Sequence, residues 1–420
     1  MELYSLPYKD GYLIYRPLLR LAFLGNAAMV NLLARLPVDA ATQAEQEALE
    51  FLSAAGYFEP DPEPPPLPEP GAPYLPTVAV LCLTTACNLR CVYCYARGGE
   101  TPLRQLPVEL GRRAIDTVCR NARDAGDNRF RVEFHGGGEP TLARDLLVAL
   151  VDHARRQPLA AQVSVTTNGY WAKDDRDWLL ANVDQVNLSL DGLEEIQNRQ
   201  RPNAAGGPTF ARVLANVQAM DRAGISYGIR LTVTDESVES LVAGIAMLTE
   251  ETACRLFQVE PAFACGRAQP FSMNQRFAEA FLEAREIGVE RGREVYYSGA
   301  RPGVVTRRFC GAIDKALVVT ADGFLTGCYE VCGQDHPLAG RFFIGTMGDE
   351  GIQIDTAARL AFQAATGQPP DCAGCFCYWH CAGDCPSKAH GRCELNRTIT
   401  MELLVRNIAA GGGLWREVVS

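Results

Sequence analysis

The sequence predicts an α/β protein with a parallel sheet, preceded by a small α+β module and followed by a cysteine-rich region. Three observations support this fold class: six apolar strand-like runs alternate with helical patterns, a proline-rich segment precedes them, and nine of the sixteen cysteines follow them. Alternating strands and helices usually form a parallel sheet with both faces buried. An open doubly wound sheet and a partial barrel both fit the six repeats, and periodicity alone does not separate them.

The first predicted element is a small module, residues 1–59, which a proline-rich linker separates from the rest. Residues 11–25 have the pattern of paired strands, Asn26 is placed to begin an apolar helix, and residues 44–58 predict a second short helix. Nine prolines in the seventeen residues 60–76 exclude helix and central strand and favour an extended spacer.

The repeat occupies residues 77–300 and accounts for the predicted sheet. Its strand-like runs are 77–83, 131–135, 162–166, 185–190, 228–234 and 255–260. The helical patterns between them are 108–125, 146–155, 174–181, 210–223 and 239–249. A cysteine-rich region follows at 301–400, where long apolar periods are scarce and metal centres are expected to supply part of the folding energy. Residues 401–420 are predicted to be a C-terminal tail, with a short helix after Arg397.

Composition and charge narrow the function classes. The 420 residues are 47% hydrophobic and 21% charged, which is ordinary for a globular protein. A net charge of −10 argues against nucleic-acid and anionic-membrane surfaces, both of which need dense Lys and Arg. The start of the chain lacks the basic and apolar regions of a signal peptide, so we predict a cytoplasmic location. Thiols stay reduced there, and grouped cysteines are expected to bind metal or carry out redox chemistry.

A cysteine loop directly follows the first predicted strand. Cys87, Cys91 and Cys94 have the spacing C-x3-C-x2-C. Three thiolates from one loop can bind three irons of a [4Fe–4S] cluster and leave the fourth iron open to a ligand. A zinc site would need a fourth Cys or His nearby, and the loop offers none. The loop therefore predicts an iron–sulfur cluster with one open iron.

With Tyr93 before the last cysteine, this loop resembles the C-x3-C-x-aromatic-C motif of the radical S-adenosylmethionine (SAM) superfamily. The resemblance implies a partial (β/α)6 TIM-like barrel in which SAM chelates the open iron and yields a 5′-deoxyadenosyl radical that abstracts hydrogen from a C–H bond. Each polar residue at a strand end also fits a turn or capping role, and only their order along the chain supports a SAM site. The SAM contacts that the resemblance implies are Tyr93, Gly137, Gly138, Glu139, Pro140, Asn168, Ser189, Asp191, Arg230 and Gln258.

The C-terminal cysteines resemble a second known pattern, the seven-cysteine SPASM domain of radical SAM enzymes that modify peptides and proteins. The central block has the spacing C-x2-C-x5-C-x3-C. The resemblance implies two auxiliary [4Fe–4S] clusters, and with the barrel cluster three in all. The implied ligands are Cys310, Cys328 and Cys385 for the first auxiliary cluster and Cys372, Cys375, Cys381 and Cys393 for the second. Cys332 is a possible fourth ligand of the first, the alternative being an open iron.

The remaining cysteines leave alternatives open. Cys377 is unassigned, and a zinc ribbon built from Cys372, Cys375, Cys381 and Cys385 would leave three of the seven unexplained. Single cysteines in or beside core elements are expected to be buried apolar thiols, namely Cys82, Cys119, Cys254 and Cys265. His135 fits either the barrel mouth or a structural role.

One departure from the resemblance bears on mechanism. Sulfatase-maturing members carry an Asp directly after the second SPASM cysteine, whereas here Tyr329 and Glu330 follow Cys328. We predict that Tyr329 or Glu330 accepts or donates a proton near the substrate, the alternative being a packing or surface role. A carbon–carbon or carbon–sulfur crosslink is therefore favoured over formylglycine formation.

The N-terminal module weakly resembles the winged-helix leader-recognition domains of ribosomal peptide maturation, which bind a leader by strand addition. A cap over the barrel is the alternative. The resemblances together imply a maturase that oxidatively modifies a ribosomally made precursor peptide, takes electrons from a flavodoxin- or ferredoxin-type donor, and contacts neither nucleic acid nor membrane. The alternatives are a radical SAM dehydrogenase or epimerase of a small molecule such as a sugar, a formylglycine-type maturase, and a zinc-stabilised binding protein.

Overall fold

A computed structural model describes residues 2–69, 71–312, 314–348, 351–366, 369–388 and 391–417. Within these ranges the chain forms a four-stranded and an eleven-stranded sheet. No helix among the described residues combines the length and apolar character that a membrane crossing requires.

The N-terminal module consists of three antiparallel strands followed by two helices. These are β1 Tyr4–Tyr8, β2 Gly11–Arg16, β3 Leu21–Gly25, α1 Ala27–Arg35 and α2 Gln43–Ala54. The Asn26 side chain caps α1 by accepting a hydrogen bond from the backbone N–H of Met29, so the predicted helix start is confirmed. One face of the sheet, with Ile14, Leu21 and Phe23, packs on residues of both helices.

Seven parallel strands and seven helices alternate after the linker. The strands are β4 Val78–Leu81, β5 Arg129–Phe134, β6 Ala160–Thr167, β7 Gln185–Ser189, β8 Ser226–Val233, β9 Leu256–Pro261 and β10 Glu294–Tyr296. The helices are α3 Val108–Asp124, α4 Arg144–Arg155, α5 Lys173–Asn182, α6 Glu194–Gln200, α7 Phe210–Ala223, α8 Leu241–Glu251 and α9 Asn274–Glu290. Each strand pairs in parallel with the next along the chain. All six predicted strands and all five predicted helices are present, whereas α6, α9 and β10 are additions.

The parallel strands wrap around a cavity and form a partial barrel. One face carries buried apolar residues that pack under the helices, among them Val132, Val186 and Phe257. Residues of the opposite face on six neighbouring strands, from Glu133 of β5 to Tyr296 of β10, line one shared cavity. A doubly wound sheet would bury both faces under helices, so the shared cavity separates the two predicted architectures in favour of the partial barrel.

The cysteine-rich region continues the same sheet. Its elements are β11 Ala316–Val319, β12 Phe324–Thr326, α10 Ala339–Phe342, β13 Phe343–Gly348, β14 Gly351–Ile354, α11 Thr356–Ala365, α12 Tyr378–Cys381 and α13 Cys393–Ala410. β11 pairs in parallel with β4, and β12, β13 and β14 follow in antiparallel order. In the described chain the outer strands β10 and β14 do not pair, so the sheet stays open. The repeat therefore gains one parallel strand beyond its predicted end near residue 301.

The predicted C-terminal tail, residues 401–420, is corrected by the structure. Residues 401–410 form the second half of α13, which is 18 residues long. A last strand, β15 Leu414–Arg416, pairs antiparallel with β3 and completes the N-terminal sheet. The prediction of only a short helix is wrong. Because α13 packs against several elements, its sequence lacks the single apolar stripe by which a long amphipathic helix is recognised.

The N-terminal module docks on the cysteine-rich region rather than over the barrel mouth. Its second sheet face contributes Leu13 and Tyr15 to a core that also contains Phe376, Leu404 and Ile408. This contact and the pairing of β15 tie both ends of the chain to the same unit.

Candidate active site and cysteine sites

The loop after β4 brings the first three predicted cysteines together. Cys87, Cys91 and Cys94 line a cavity of about 180 Å³, named here the cysteine-loop cavity. The glycine turn after β5 approaches this loop closely: a Cβ at Gly138 would lie 1.9 Å from the carbonyl oxygen of Ala86. Only glycine fits at that position, so the turn sequence places backbone against the cysteine loop.

Seven of the ten residues predicted to contact SAM line the cysteine-loop cavity. Tyr93 is one of them, and the other six are Gly137, Gly138, Glu139, Asn168, Ser189 and Arg230. The other three, Pro140, Asp191 and Gln258, are not part of its described lining. Asp191 instead accepts the phenol of Tyr93 at 2.6 Å, and Gln258 donates to Glu260 at 2.9 Å.

Glu139 is fully engaged inside the protein. Its carboxylate accepts hydrogen bonds from Thr141, from the Thr167 hydroxyl at 2.8 Å and from the backbone N–H of Asn168 at 2.8 Å. Burial raises the pKa of this carboxyl, and these hydrogen bonds oppose the rise. Glu139 therefore fixes the glycine turn to β6 and the residues that follow it.

Arg201 is a site residue that the sequence analysis missed. It lines the cysteine-loop cavity, is 5% exposed, and donates to the Tyr93 hydroxyl at 2.7 Å. Its Nε atom has no hydrogen-bond partner among the described residues. No motif marks this arginine, because it enters the site only through the short helix α6 that folds back on β7. It adds a buried cation beside Cys91.

The first predicted auxiliary set lies at the far side of the barrel interior. Cys310, Cys328 and Cys385 line a cavity of about 370 Å³, named here the barrel cavity. The inward residues of β5 to β10 line the same space. The three thiols therefore face the barrel from segments that are up to 75 residues apart in sequence.

Cys332, the predicted alternative fourth ligand, is not part of the described lining of the barrel cavity. Its Sγ lies 3.6 Å from Cys82 Sγ and donates to the carbonyl of Tyr329 at 3.0 Å. Cys332 lines a third space of about 410 Å³, the side cavity. The Cys332 thiol therefore lies against Cys82, the residue that follows β4.

Glu330 lies where the three cavities meet. Glu330 and Tyr95 line the cysteine-loop, barrel and side cavities alike. Lys388 Nζ is 3.4 Å from the Glu330 carboxylate, and the Ser387 hydroxyl donates to it at 3.3 Å. Burial raises the pKa of Glu330, but Lys388, Arg230 and these hydrogen bonds outweigh it, and the net pKa lies below the usual value. The Glu330 side chain is 22% exposed, so it is a partly buried carboxylate where these cavities meet.

Tyr329 and His135 face each other in the barrel cavity. Their ring centroids are 5.6 Å apart. Burial raises the pKa of Tyr329 well above its usual value, so its phenol stays protonated and can donate but not accept a proton. Burial and Arg230 lower the pKa of His135 to about 4, so the imidazole is neutral near pH 7.

The second predicted auxiliary set surrounds its own cavity. Four thiols line a space of about 320 Å³, the C-terminal cavity, and these are Cys372, Cys375, Cys381 and Cys393. Cys377, which the sequence left unassigned, lines it too and is 2% exposed. A hydrogen bond from Cys377 and the nearby Arg397 lower the pKa of Cys375 to about 5.

A buried ion network joins the barrel to both C-terminal sets. Arg392 donates to Asp384 at 3.0 Å and to Glu260 at 3.1 Å, and all three are at most 5% exposed. Asp384 directly precedes Cys385, and Arg392 directly precedes Cys393. One cation therefore holds segments of both sets against strand β9.

The donor sets fit iron–sulfur clusters. Among the described residues, no group of three or more His, Cys, Asp or Glu side chains is placed to bind a single metal ion. Three cavities are instead lined by three, three and four of the predicted cysteine ligands. Cysteine thiolates are the usual ligands of [4Fe–4S] clusters.

A partial barrel with a three-cysteine loop at its mouth defines the class of an iron–sulfur α/β protein. Residues 81–245 match the family model of the Radical SAM superfamily, so this part of the chain is a radical SAM domain. The match implies one [4Fe–4S] cluster and SAM, and Cys87, Cys91 and Cys94 lie within the matched residues.

Curated relatives share different parts of the chain. Fe-coproporphyrin III synthase of Methanosarcina barkeri is 29% identical over 232 residues, which are 54% of this chain and 55% of the relative. GTP 3′,8-cyclase of Pasteurella multocida is 36% identical over 115 residues, 27% of this chain and 33% of the relative. The chain thus spans about half the length of the first relative and about a third of the length of the second. The serine-type anaerobic sulfatase-maturating enzyme of Klebsiella pneumoniae is 24% identical over 342 residues, 76% of this chain and 84% of the relative.

Solved structures share the fold. Native anSMEcpe with bound AdoMet superposes with a TM-score of 0.62 at 17% identity, covering 80% of this chain and 99% of that chain. Streptococcus suis SuiB bound to S-adenosylmethionine gives a TM-score of 0.54 at 15% identity, covering 85% and 82%. Native anSMEcpe with bound AdoMet and Kp18Cys peptide gives 0.61 at 18% identity, covering 80% and 100%.

Proposed function

We propose that this chain is a radical SAM maturase that oxidatively modifies a ribosomally made peptide, forming a carbon–carbon or carbon–sulfur crosslink. One observation carries the proposal: Glu330 and Tyr95 border both the cysteine-loop cavity and the barrel cavity. A substrate carbon beside Glu330 would therefore lie between the cysteine loop and the first auxiliary set. Similarity to a sulfatase-maturating enzyme over 84% of its length supports a peptide or protein substrate.

The proposal includes three [4Fe–4S] clusters, one on the cysteine loop and two on the C-terminal sets. When bound, the clusters supply one-electron transfer and SAM supplies a carbon radical. Because Cys332 faces Cys82, the first auxiliary cluster would have the three thiolates of Cys310, Cys328 and Cys385. Three protein thiolates would leave one iron without a protein ligand, which is the open-iron alternative of the sequence analysis.

The chain's own residues would handle the proton of the oxidation. Loss of two hydrogens from substrate releases one hydrogen atom, one proton and one electron. The Glu330 carboxylate is placed to accept the proton, while Lys388 balances its charge. Ser387 lies 3.1 Å from Cys385 Sγ and 3.3 Å from Glu330, so it links the proton acceptor to the first auxiliary set. Tyr329, being protonated, would serve as a donor or spacer.

Substituting the proposed acceptor tests this role. Reconstituted wild type with SAM, reductant and precursor peptide is expected to give a product lighter by two hydrogens. Glu330→Gln keeps the size of the side chain, so SAM cleavage is expected to continue while product falls by about 10²-fold or more. Tyr329→Phe removes only the phenol and separates the two roles of Tyr329: retained product is expected for a spacer, and a loss of product for a donor. Equal product from Glu330→Gln and wild type, measured by mass spectrometry, would refute the role of Glu330.

The leader is proposed to bind the N-terminal module. Its sheet has two outer strands, β1 and β15. Pro7 in β1 has no N–H to offer, and β15 covers β3, so strand addition is expected at the β15 side. Hydrogen exchange with a leader peptide should protect residues 414–416 or 21–25, and unchanged exchange in both would contradict this binding mode. A flavodoxin- or ferredoxin-type donor and a cytoplasmic location complete the proposal.

A second candidate is oxidation or epimerisation of a small molecule. The barrel cavity, at about 370 Å³, is within the range of small-ligand sites, and two relatives are named for reactions on a porphyrin and a nucleotide. SAM cleavage that increases when a sugar or other small molecule is added, but not when a precursor peptide encoded by a neighbouring gene is added, would favour this candidate.

A further inference from the structure

A buried amide lies against the second auxiliary set. Asn396 is 1% exposed and lines the C-terminal cavity with the four predicted cysteine ligands. Its Nδ2 atom is 3.4 Å from Cys381 Sγ and donates to it. Its Oδ1 atom accepts the phenol of Tyr297 at 2.7 Å. The amide thus bridges a barrel residue and a cysteine sulfur.

The barrel determines which way this amide points. Tyr297 follows β10, is fully buried, and packs edge-on against Phe277 and Phe281 of α9 at 5.6 and 6.1 Å between ring centroids. Gly299 leaves the space for the contact, since a Cβ there would lie 2.2 Å from Asn396 Oδ1. With the oxygen engaged by the phenol, the NH2 group faces the sulfur.

We propose that Asn396 is a positioning residue that raises the reduction potential of the second auxiliary cluster through its N–H···S bond to Cys381. This inference rests on the proposed function, which makes Cys381 a cluster ligand. A metal-bound thiolate carries no proton, so it can only accept a hydrogen bond, and the amide N–H is a suitable donor. Reduction adds a negative charge to the cluster, and a donor to a ligand sulfur stabilises the reduced form more than the oxidised one.

The contact also gives the barrel an influence on electron transfer. Because Tyr297 holds the amide oxygen, packing of α9 and β10 is transmitted through one hydrogen-bonded side chain to a ligand of the second cluster. Removing the phenol would free the amide to rotate without removing the donor itself.

Redox titration of the reconstituted full chain, monitored by electron paramagnetic resonance without SAM or substrate, tests the inference. Asn396→Leu removes the donor at similar volume and is expected to shift the reduction equilibrium of the second auxiliary cluster about tenfold toward the oxidised form, which is about 59 mV for one electron. Tyr297→Phe is expected to shift it in the same direction by less. Ile399→Val, a buried change in α13 whose side chain belongs to the main apolar core, is the control and is expected to leave the potential unchanged.

The outcomes separate this inference from the proposed function. Cys381→Ala identifies the second cluster's signal by weakening or removing it. Wild type with fewer than about twelve irons and without that signal would overturn both proposals. Full iron content with an unshifted potential in Asn396→Leu would overturn only the role of Asn396. If Asn396→Leu loses iron, Tyr297→Phe decides, and an unshifted potential there overturns the inference.

Discussion

The barrel cysteines and the C-terminal cysteines are positioned by different forces. Cys87, Cys91 and Cys94 lie within eight residues on a loop that follows β4, a strand whose residues are all buried. Five of the seven predicted C-terminal ligands come from two segments, residues 301–312 and 369–388, whose described parts contain no helix longer than four residues and no strand. Of the other two, Cys328 follows β12 and Cys393 begins α13. Apolar packing thus builds the first site, whereas bound clusters and buried ion pairs are expected to build the others.

The largest expected effect is a loss of SAM cleavage at the barrel site without a loss of the fold. Replacing Cys87, Cys91 and Cys94 together by Ala should lower SAM cleavage by at least about 10³-fold, because the cluster ligands are lost while the barrel core remains. Iron content should fall by about four atoms per chain, with an unchanged circular dichroism spectrum. Cys119→Ala, a buried cysteine in α3, is the control and should retain cleavage. Cleavage retained by the triple variant would refute the assignment of the loop.

Removing the buried cation should destabilise the C-terminal region. Arg392→Met leaves Asp384 and Glu260 buried without their partner and is expected to cost about 3–5 kcal/mol of unfolding free energy. Urea unfolding and limited proteolysis would measure this, with the first cuts expected in residues 369–392. Arg276→Met removes an exposed pair with Glu239, which solvent screens, and should leave the urea unfolding curve nearly unchanged. Similar losses in both variants would show that the network does not hold the region together.

Lowering the pH should reduce the stability of the fold through His135, which lines the barrel cavity and faces Tyr329. The pKa of His135 is about 4 in the folded chain and near 6.5 when unfolded, so the unfolded state binds more protons between these values. Its contribution to stability is present above pH 6.5 and is lost as pH falls toward 4. From pH 7 to pH 5, wild type should lose about 2 kcal/mol more than His135→Gln in urea unfolding. An equal loss in both proteins would contradict a buried neutral imidazole.

The smallest expected effect concerns the strand that joins the two chain ends. A chain ending at Gly413 loses β15, including the tilted ring contact of Trp415 with Tyr15 and the ion pair of Arg416 with Glu59. A cost of about 1 kcal/mol is expected, with faster hydrogen exchange in residues 21–25. The barrel should be unaffected, so faster exchange in β4 or β5 would contradict the separation of the two regions.

Much of the fold was predictable because it depends on local patterns. The period of strands and helices predicted six of the seven strands of the repeat, and Asn26 marked the start of α1. Cysteine spacing likewise predicted the three groups that the cavities bring together. The role of each group as a cluster site remains a prediction until iron is measured.

The missed features all depend on contacts between distant residues. Arg201 carries no motif and reaches the site because α6 folds back, and β11 joins the sheet although it lies more than two hundred residues after β4. Cys332 was an alternative fourth ligand because it lies four residues after Cys328, and the structure places its Sγ 3.6 Å from Cys82 Sγ. Spacing records proximity along the chain and not the direction in which a side chain points.

The amino-acid sequence by itself determined the β/α repeat, the cysteine groups and the radical SAM resemblance, because periodicity and short spacings are local properties. Only the tertiary structure decided that the sheet curves around a cavity, that Glu330 lies where three cavities meet, and that Cys332 faces Cys82. It also decided that β15 completes the N-terminal sheet. These features arise from packing between segments far apart in sequence, where burial and hydrogen bonding select one arrangement among many that the local patterns allow.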